Sequence, residues 1–246
     1  MLRPLISISL LLIAACDSTP TQWGYDGSIG PATWGELDSS FSTCATGRSQ
    51  SPIDIVTADL VAEDMPELVC DYGTVAVNIV NNSHAIELTV PEGSMLQVGG
   101  REYQLQQFHF HGPSEHTIDG EHAAMEMHMV HKDAEGNLAV ISALIDEGAE
   151  NGALASAWQH LPSAINQPLT PAGATVDIAA VLPEDRSYLS YSGSFTTPPC
   201  TEGVAWYMFR QRIQLSPEQI AAFRGVMPPN NRPVQPTNGR IIRTTR

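Results

Sequence analysis

Lysine is nearly absent. Lys132 is the only one, and 12 Lys and Arg together stand against 27 Asp and Glu, a formal charge of −15. Nucleic-acid binding needs a basic face, and a chain this acidic does not offer one, so no nucleic-acid partner is expected. Seven of the twelve basic residues lie between Arg210 and Arg246, but proline and asparagine interrupt them. That end reads as ordinary surface arginine. Helical periodicity is scarce, and low-complexity segments and long internal repeats are missing. The apolar stretch near the start, Leu5–Ile13, is far shorter than the ~20 residues of a membrane span. Cysteine is sparse, with four in the chain.

The scarce features still carry information. Arg3 followed by Leu5–Ile13 has the charge and length of an export leader rather than of a folded element. It ends in Ile13-Ala14-Ala15-Cys16, which resembles the lipobox of bacterial lipoproteins. The resemblance implies cleavage before Cys16 and lipidation of its thiol. Residues 1–15 are then a signal peptide, 16–22 a polar lipidated tether and 23–246 the domain. The expected location is periplasmic, anchored by lipid to a bacterial membrane. In that oxidising compartment two of Cys44, Cys70 and Cys200 can pair and one is left over; the sequence leaves three pairings open. The remaining length suits one domain with a large core, and its oligomeric state, a homodimer included, stays open.

Turn residues recur at Pro91-Glu92-Gly93, Gly99-Gly100, Asp119-Gly120 and Glu135-Gly136-Asn137. Between them lie β-rich runs: Thr74–Val80, Ala85–Val90, Tyr103–His111, Ala124–His131, Leu138–Ile145 and Val204–Arg210. Such spacing predicts a mostly β domain on a large sheet. Two helices are expected, over Ala153–Leu161 and Ser216–Val226. The second starts with Ser216 as N-cap, Pro217 at the first helical position and Gln219 three residues after the cap.

The most informative run is Gln107-Phe108-His109-Phe110-His111. Side chains alternate faces along a strand, so His109 and His111 share one face and the two phenylalanines the other. Imidazoles about 6–7 Å apart on one strand face are able to grip one small cation. Glu126-Met127-His128-Met129-Val130 alternates in the same way, and the Asp119-Gly120 turn lets the two strands lie side by side. His128 then faces the first pair. Three neutral histidines with one open position form the catalytic arrangement of zinc, not the closed structural one. Such ligands need acceptors that fix the ring tautomer, and Gln107 and Glu126 fall on the right faces to serve.

The stretch from Gln107 to Thr117 resembles the zinc-site strand of the α-class carbonic anhydrases. Further blocks resemble that family in its order: Trp23-Gly24-Tyr25 with Trp34, Cys44 through Gln50-Ser51-Pro52-Ile53, Asn81-Asn82-Ser83-His84, Ser192 through Gly203, and Asn231-Arg232-Pro233-Val234-Gln235-Pro236. The resemblance implies a single domain around a large, mainly antiparallel twisted sheet with a few short helices. It implies reversible hydration of carbon dioxide to bicarbonate and a proton, by attack of zinc hydroxide with a histidine proton shuttle. By position in these motifs, His109, His111 and His128 fall on the zinc ligands, and Gln107 and Glu126 on their partners. Thr196 and Glu115 fall on the pair that orients the nucleophile, and His84 on the shuttle. Val130, Val140, Phe195, Val204 and Trp206 fall on the apolar substrate pocket, and Thr197 on its polar side. Tyr25 and Asn82 fall on the water network, and Cys44 and Cys200 on a disulfide, which leaves Cys70 free. Ser83, Phe195 and Glu87 depart from the family's usual glycine, leucine and neutral amide. His116 reads as a structural hydrogen-bonder, His122, His131 and His160 as surface or packing residues, and Met125, Met127 and Met129 as core. Two other functions on such a fold, a non-catalytic binding domain and an ester hydrolase, fit less well, because every zinc histidine is in place and the implied pocket is small and apolar.

Overall fold

The computed structural model describes residues 21–246, so the leader and Cys16 lie outside the described residues. Twelve strands form one mixed sheet. In chain order they are β1 (Val61–Glu63), β2 (Val69–Asp71), β3 (Ile79–Asn81), β4 (Ile86–Thr89), β5 (Met95–Val98), β6 (Arg101–His111), β7 (Met125–Lys132), β8 (Leu138–Glu147), β9 (Tyr188–Ser194), β10 (Glu202–Phe209), β11 (Ile213–Leu215) and β12 (Arg243–Thr245). The main path runs β1-β12-β9-β10-β8-β7-β6-β4-β3; β11 joins β8, and β5 links β2 to β6. Most pairs are antiparallel, and the β8–β10, β8–β11 and β1–β12 pairs are parallel. The expected single, mostly β domain is therefore observed.

The long strands β6, β7 and β8 lie side by side because hydrophobic residues cover both faces of the sheet. One face carries Met125, Met127, Met129, Ile141 and Ile145 into the larger core, with Ile220 and Phe223 of the helix Pro217–Val226. The other face carries Val140, Leu144, Val204 and Trp206 into a second cluster with Ile53 and Ile55. The three methionines are thus core, as their alternation predicts.

One irregularity decides what β6 presents to each face. His131 pairs with Leu105 but Val130 pairs with Gln107, so Gln106 has no counterpart and bulges. A bulge shifts the two-residue alternation by one position. Tyr103 and Leu105 before it, and Phe108 and Phe110 after it, all reach the larger core. If Gln106 paired regularly instead of bulging, His109 and His111 would continue the phase of Leu105 and point into that core.

Two elements differ from the sequence expectation. The run Thr74–Val80 is split: Thr74–Ala76 pairs with Thr175–Asp177, and β3 begins at Ile79. Between them the Val77 amide turns aside to donate to Ala174 O at 2.9 Å. The helix expected over Ala153–Leu161 is a single turn, Ala155–Trp158. The second helix starts where predicted: Ser216 Oγ accepts from the Gln219 amide, and Gln219 Oε1 accepts from the Ser216 amide. Strand β9 gives no apolar run in the sequence, with three serines and a glycine in seven residues. It forms because β10 and β12 supply ladders on its two sides.

Candidate active site

Register places the histidines. His109 stands directly opposite His128, and His111 opposite Glu126. The ring centroids lie 5.0 Å apart for His109 and His111, 5.3 Å for His109 and His128, and 4.6 Å for His111 and His128. Their potential ligand atoms all fall within 4.8 Å of one another. Each ring has one nitrogen already engaged. His109 Nδ1 donates to Gln107 Oε1 at 2.8 Å, His111 Nδ1 to Asn230 O at 2.7 Å, and His128 Nε2 to Glu126 Oε1 at 2.8 Å. These acceptors fix the tautomers, so Nε2 of His109, Nε2 of His111 and Nδ1 of His128 carry lone pairs.

Burial lowers the pKa of all three, His111 to about 4, and keeps the rings neutral. His111 Nε2 is buried without a hydrogen-bond partner. A buried nitrogen that no protein group satisfies, beside two more lone pairs, fits zinc held by three neutral imidazoles. Gln107 and Glu126 act as the sequence predicts. Asn230 is a partner that sequence reasoning misses, because it contributes a backbone carbonyl.

Glu126 is the hub of the buried polar layer. Oε2 accepts from the amides of Glu115 and His116 at 2.9 and 2.8 Å. Oε1 accepts from His116 Nδ1, His128 Nε2 and the Ser142 hydroxyl. Burial alone would raise its pKa, but His116 and His128 hold it well below the usual carboxylate value. His116 is the structural link expected, and its Nε2 accepts from the Tyr191 hydroxyl at 2.7 Å.

Glu115 is fully buried, and its Oε1 accepts from the Arg232 amide at 2.8 Å. Oε2 has no hydrogen-bond partner and lies 3.5 Å from His111 Nε2 and 3.8 Å from His128 Nδ1. Burial raises its pKa to about 7, against the lowering effect of His128, the Arg232 amide and the nearby Thr196 hydroxyl. No closed hydrogen bond joins Thr196 and Glu115 here, although the hydroxyl lies near enough to lower the carboxyl's pKa.

A cavity of about 300 Å³ opens on His109 and His128. Gln107, Val130, Val140, Phe195, Thr196, Thr197 and Trp206 line it, with Pro198 and Pro199. Val204 does not: it is fully buried behind the wall, in the cluster with Val140 and Trp206. A larger open cleft between residues 66–69, 97–102 and 133–137 holds none of the site's groups. Chemistry rather than size picks out the site.

His84 is not in the lining of that cavity but in a separate cleft with Trp23 and Asn82, stacked on Trp23 with centroids 3.6 Å apart and planes 7° from parallel. Burial lowers its pKa. Asn82 Oδ1 accepts from the amides of His84 and Ala85, so this side chain shapes the turn that carries His84, and its Nδ2 donates to Glu87. The Tyr25 hydroxyl is buried without a partner, in the aromatic cluster of Trp23 and Trp34. Cys44 and Cys200 form a disulfide with a Cα separation of 5.0 Å, and Cys70 is free and half-buried.

The family model described as eukaryotic-type carbonic anhydrase matches residues 29–246. The chain belongs to that family. A carbonic anhydrase of Pectobacterium carotovorum is 44% identical over 96% of this chain and 98% of its own length. One from Nostoc is 37% identical over 98% and 95%. The α-carbonic anhydrase of Thermovibrio ammonificans, solved with the inhibitor sulfanilamide, superposes with a TM-score of 0.89 at 42% identity, covering 92% of this chain and all of that one. Dioscorin complexed with ascorbate also shares the fold, with a TM-score of 0.85 at 29% identity over 91% of this chain and 97% of its own. The fold alone therefore does not assign the chemistry, and the family match does. The chain is a carbonic anhydrase by family, the family's reaction is zinc-dependent hydration of carbon dioxide, and His109, His111 and His128 form the candidate metal site.

Proposed function

We propose that this carbonic anhydrase hydrates carbon dioxide reversibly at His109, His111 and His128, as a lipid-anchored periplasmic enzyme. The carrying observation is the set of three neutral imidazoles, each with one nitrogen tied to an acceptor and the other free toward a common point. Zinc held there would lower the pKa of a water molecule from 15.7 to about 7, the value known for carbonic anhydrase itself, and so would supply a nucleophile at neutral pH. Neutral ligands leave the metal's charge undiminished. The Thr196 hydroxyl lies near Glu115; by donating to that carboxylate and accepting on its other side it would aim the nucleophile. Val130, Val140, Phe195 and Trp206 offer carbon dioxide an apolar wall, and Thr197 a polar edge for bicarbonate. Tyr25 and Asn82 border the water between the site and His84.

His84 takes up the proton released each cycle, since an imidazole suits transfer near neutral pH. His84→Ala is expected to lower kcat at least about tenfold and to leave kcat/KM nearly unchanged, with added imidazole restoring much of the loss. Because burial lowers the His84 pKa, kcat of the parent enzyme should rise with pH to a plateau whose midpoint lies below the ordinary imidazole value. Equal losses in both parameters without rescue would make His84 structural.

The location rests on Ile13-Ala14-Ala15-Cys16 and the polar residues after it. Among the described residues no helix is long and apolar enough to cross a membrane, so the lipid is the only anchor proposed. Several acyl chains hold a protein on a bilayer where one does not. In cells making the full chain, the enzyme should fractionate with membranes and be released by detergent but not by salt. Cys16→Ser should give soluble or unprocessed protein. Parent enzyme found wholly soluble, with its N-terminus cut elsewhere, would remove the anchor.

A further inference from the structure

The segment from Met227 to Ile242 contains no helix or strand, yet it makes two contacts at the heart of the site. Asn230 O accepts from His111 Nδ1, and the Arg232 amide donates to Glu115 Oε1. Backbone outside the ladders needs other partners to fix it. The Asn230 side chain accepts from Gly112 N and donates to His84 O and Phe110 O, and the Arg232 side chain is a second buried anchor. Contrary to its reading as a surface arginine, Arg232 is 1% exposed, among the largest fully buried side chains.

Its guanidinium gathers three separate parts of the chain. Nη1 donates to Gln50 Oε1 at 2.9 Å and to Ser51 O at 2.7 Å, and Nη2 donates to Cys44 O at 3.0 Å. The guanidinium carbon lies 5.6 Å over the Trp34 ring. Gln50 in turn donates to Cys200 O at 3.0 Å, so both cysteines of the disulfide belong to this network. Among the described residues no carboxylate accepts from the guanidinium and its Nε has no partner, though the charge of Glu115 nearby favours its own. A buried cation so placed is a costly way to fill a core. What it provides is direction: a planar fork with three fixed acceptors sets the orientation of residue 232 as a point charge cannot.

We infer that Arg232 is a positioning residue for Glu115. The guanidinium fixes the irregular backbone so that the residue's own amide holds Oε1, which leaves Oε2 aimed at the site beside Thr196. This rests on the reading of Glu115 and Thr196 as the pair that orients the nucleophile. The role acts on the hydration step and not on proton release, so it divides the two kinetic parameters.

Arg232→Met keeps much of the volume and removes the donors; Arg232→Lys keeps the charge and loses the fork. Per bound zinc, Arg232→Met should lower kcat/KM at least about tenfold, within the range for a misplacement acting at a distance, and should lower kcat less. Arg232→Lys should recover part of the loss. A second readout needs no metal: amide exchange at residue 232 of the zinc-free protein should quicken in Arg232→Met, while the amides of His109 and His128 in β6 and β7 stay protected. Should Arg232→Met fail to fold, Arg232→Lys carries the same comparison against the parent. An unchanged kcat/KM, or equal losses in both parameters with residue 232 still protected, overturns the inference. Glu115→Gln tests the underlying reading separately. If it leaves kcat/KM intact while exchange at 232 responds as expected, the orienting pair is wrong and the clamp on the backbone stands.

Discussion

Replacing His111 by alanine is expected to abolish zinc retention and carbon dioxide hydration together. The three rings form a nearly equilateral triangle, and His111 is one corner, 5.0 and 4.6 Å from the other two between centroids. Two imidazoles on neighbouring strands do not enclose a catalytic zinc, which takes three protein ligands and keeps one position open. Loss of an outer-shell partner costs about 10–100-fold in affinity or activity, and loss of a ligand should exceed that. The substitution also leaves Asn230 O without its donor inside the protein. Metal analysis of the purified variant beside a hydration assay is the measurement. A variant that kept zinc and full activity would place the metal elsewhere.

Glu126→Leu should have the next largest effect, on stability and metal affinity at once. The carboxylate accepts from Glu115 N, His116 N, His116 Nδ1, His128 Nε2 and Ser142 Oγ, all buried. Leucine fills the space and leaves those donors unsatisfied, and breaking such a buried network by removing one partner costs about 3–5 kcal/mol. With its acceptor gone, His128 is no longer held to the tautomer that leaves Nδ1 free, so zinc affinity should fall by about 10–100-fold in whatever fraction folds. Denaturant melts of the zinc-free protein and a zinc titration read the two losses separately. A variant as stable as the parent, with unchanged zinc affinity, would show that the hub is dispensable.

The same layer sets the response of the metal-free protein to acid. Glu126 is held well below its ordinary value, so its contribution is present above the unfolded carboxylate pKa and is lost as pH falls through the folded one. His111 is lowered from 6.5 to about 4, so the unfolded chain binds its proton first as pH drops. That contribution is full above 6.5, shrinks as pH falls toward 4, and amounts to about 3 kcal/mol. Glu115, raised to about 7, opposes this loss between about 7 and 4.5, while His109, His128 and Glu126 act with His111, so stability should still fall from neutrality into acid.

The sequence by itself determined much of this protein. The alternation in Gln107–His111 and Glu126–Val130 puts three imidazoles and two of their acceptors on one face, because side-chain direction along a strand has a period of two. The capping residues at Ser216 and Gln219 start a helix where they are read. The ordered motif blocks identify the family. Each of these depends on neighbours in the chain.

The tertiary structure alone decided the rest. The bulge at Gln106 turns the histidines away from the core in which Leu105 is buried, and one residue looping out of a ladder leaves no mark in composition. Val204 falls behind the cavity wall while Val140, Phe195 and Trp206 of its cluster reach it, a difference set by position in the fold and not by residue type. Cysteine count alone leaves three pairings of Cys44, Cys70 and Cys200 open; the resemblance points to Cys44 with Cys200, and the fold brings those two together across 156 residues. Asn230 reaches His111 across 119 residues and Arg232 reaches Glu115 across 117. Both do so with backbone groups. Every residue but proline carries the same amide and carbonyl, so only the path of the folded chain says which of them meets a catalytic side chain.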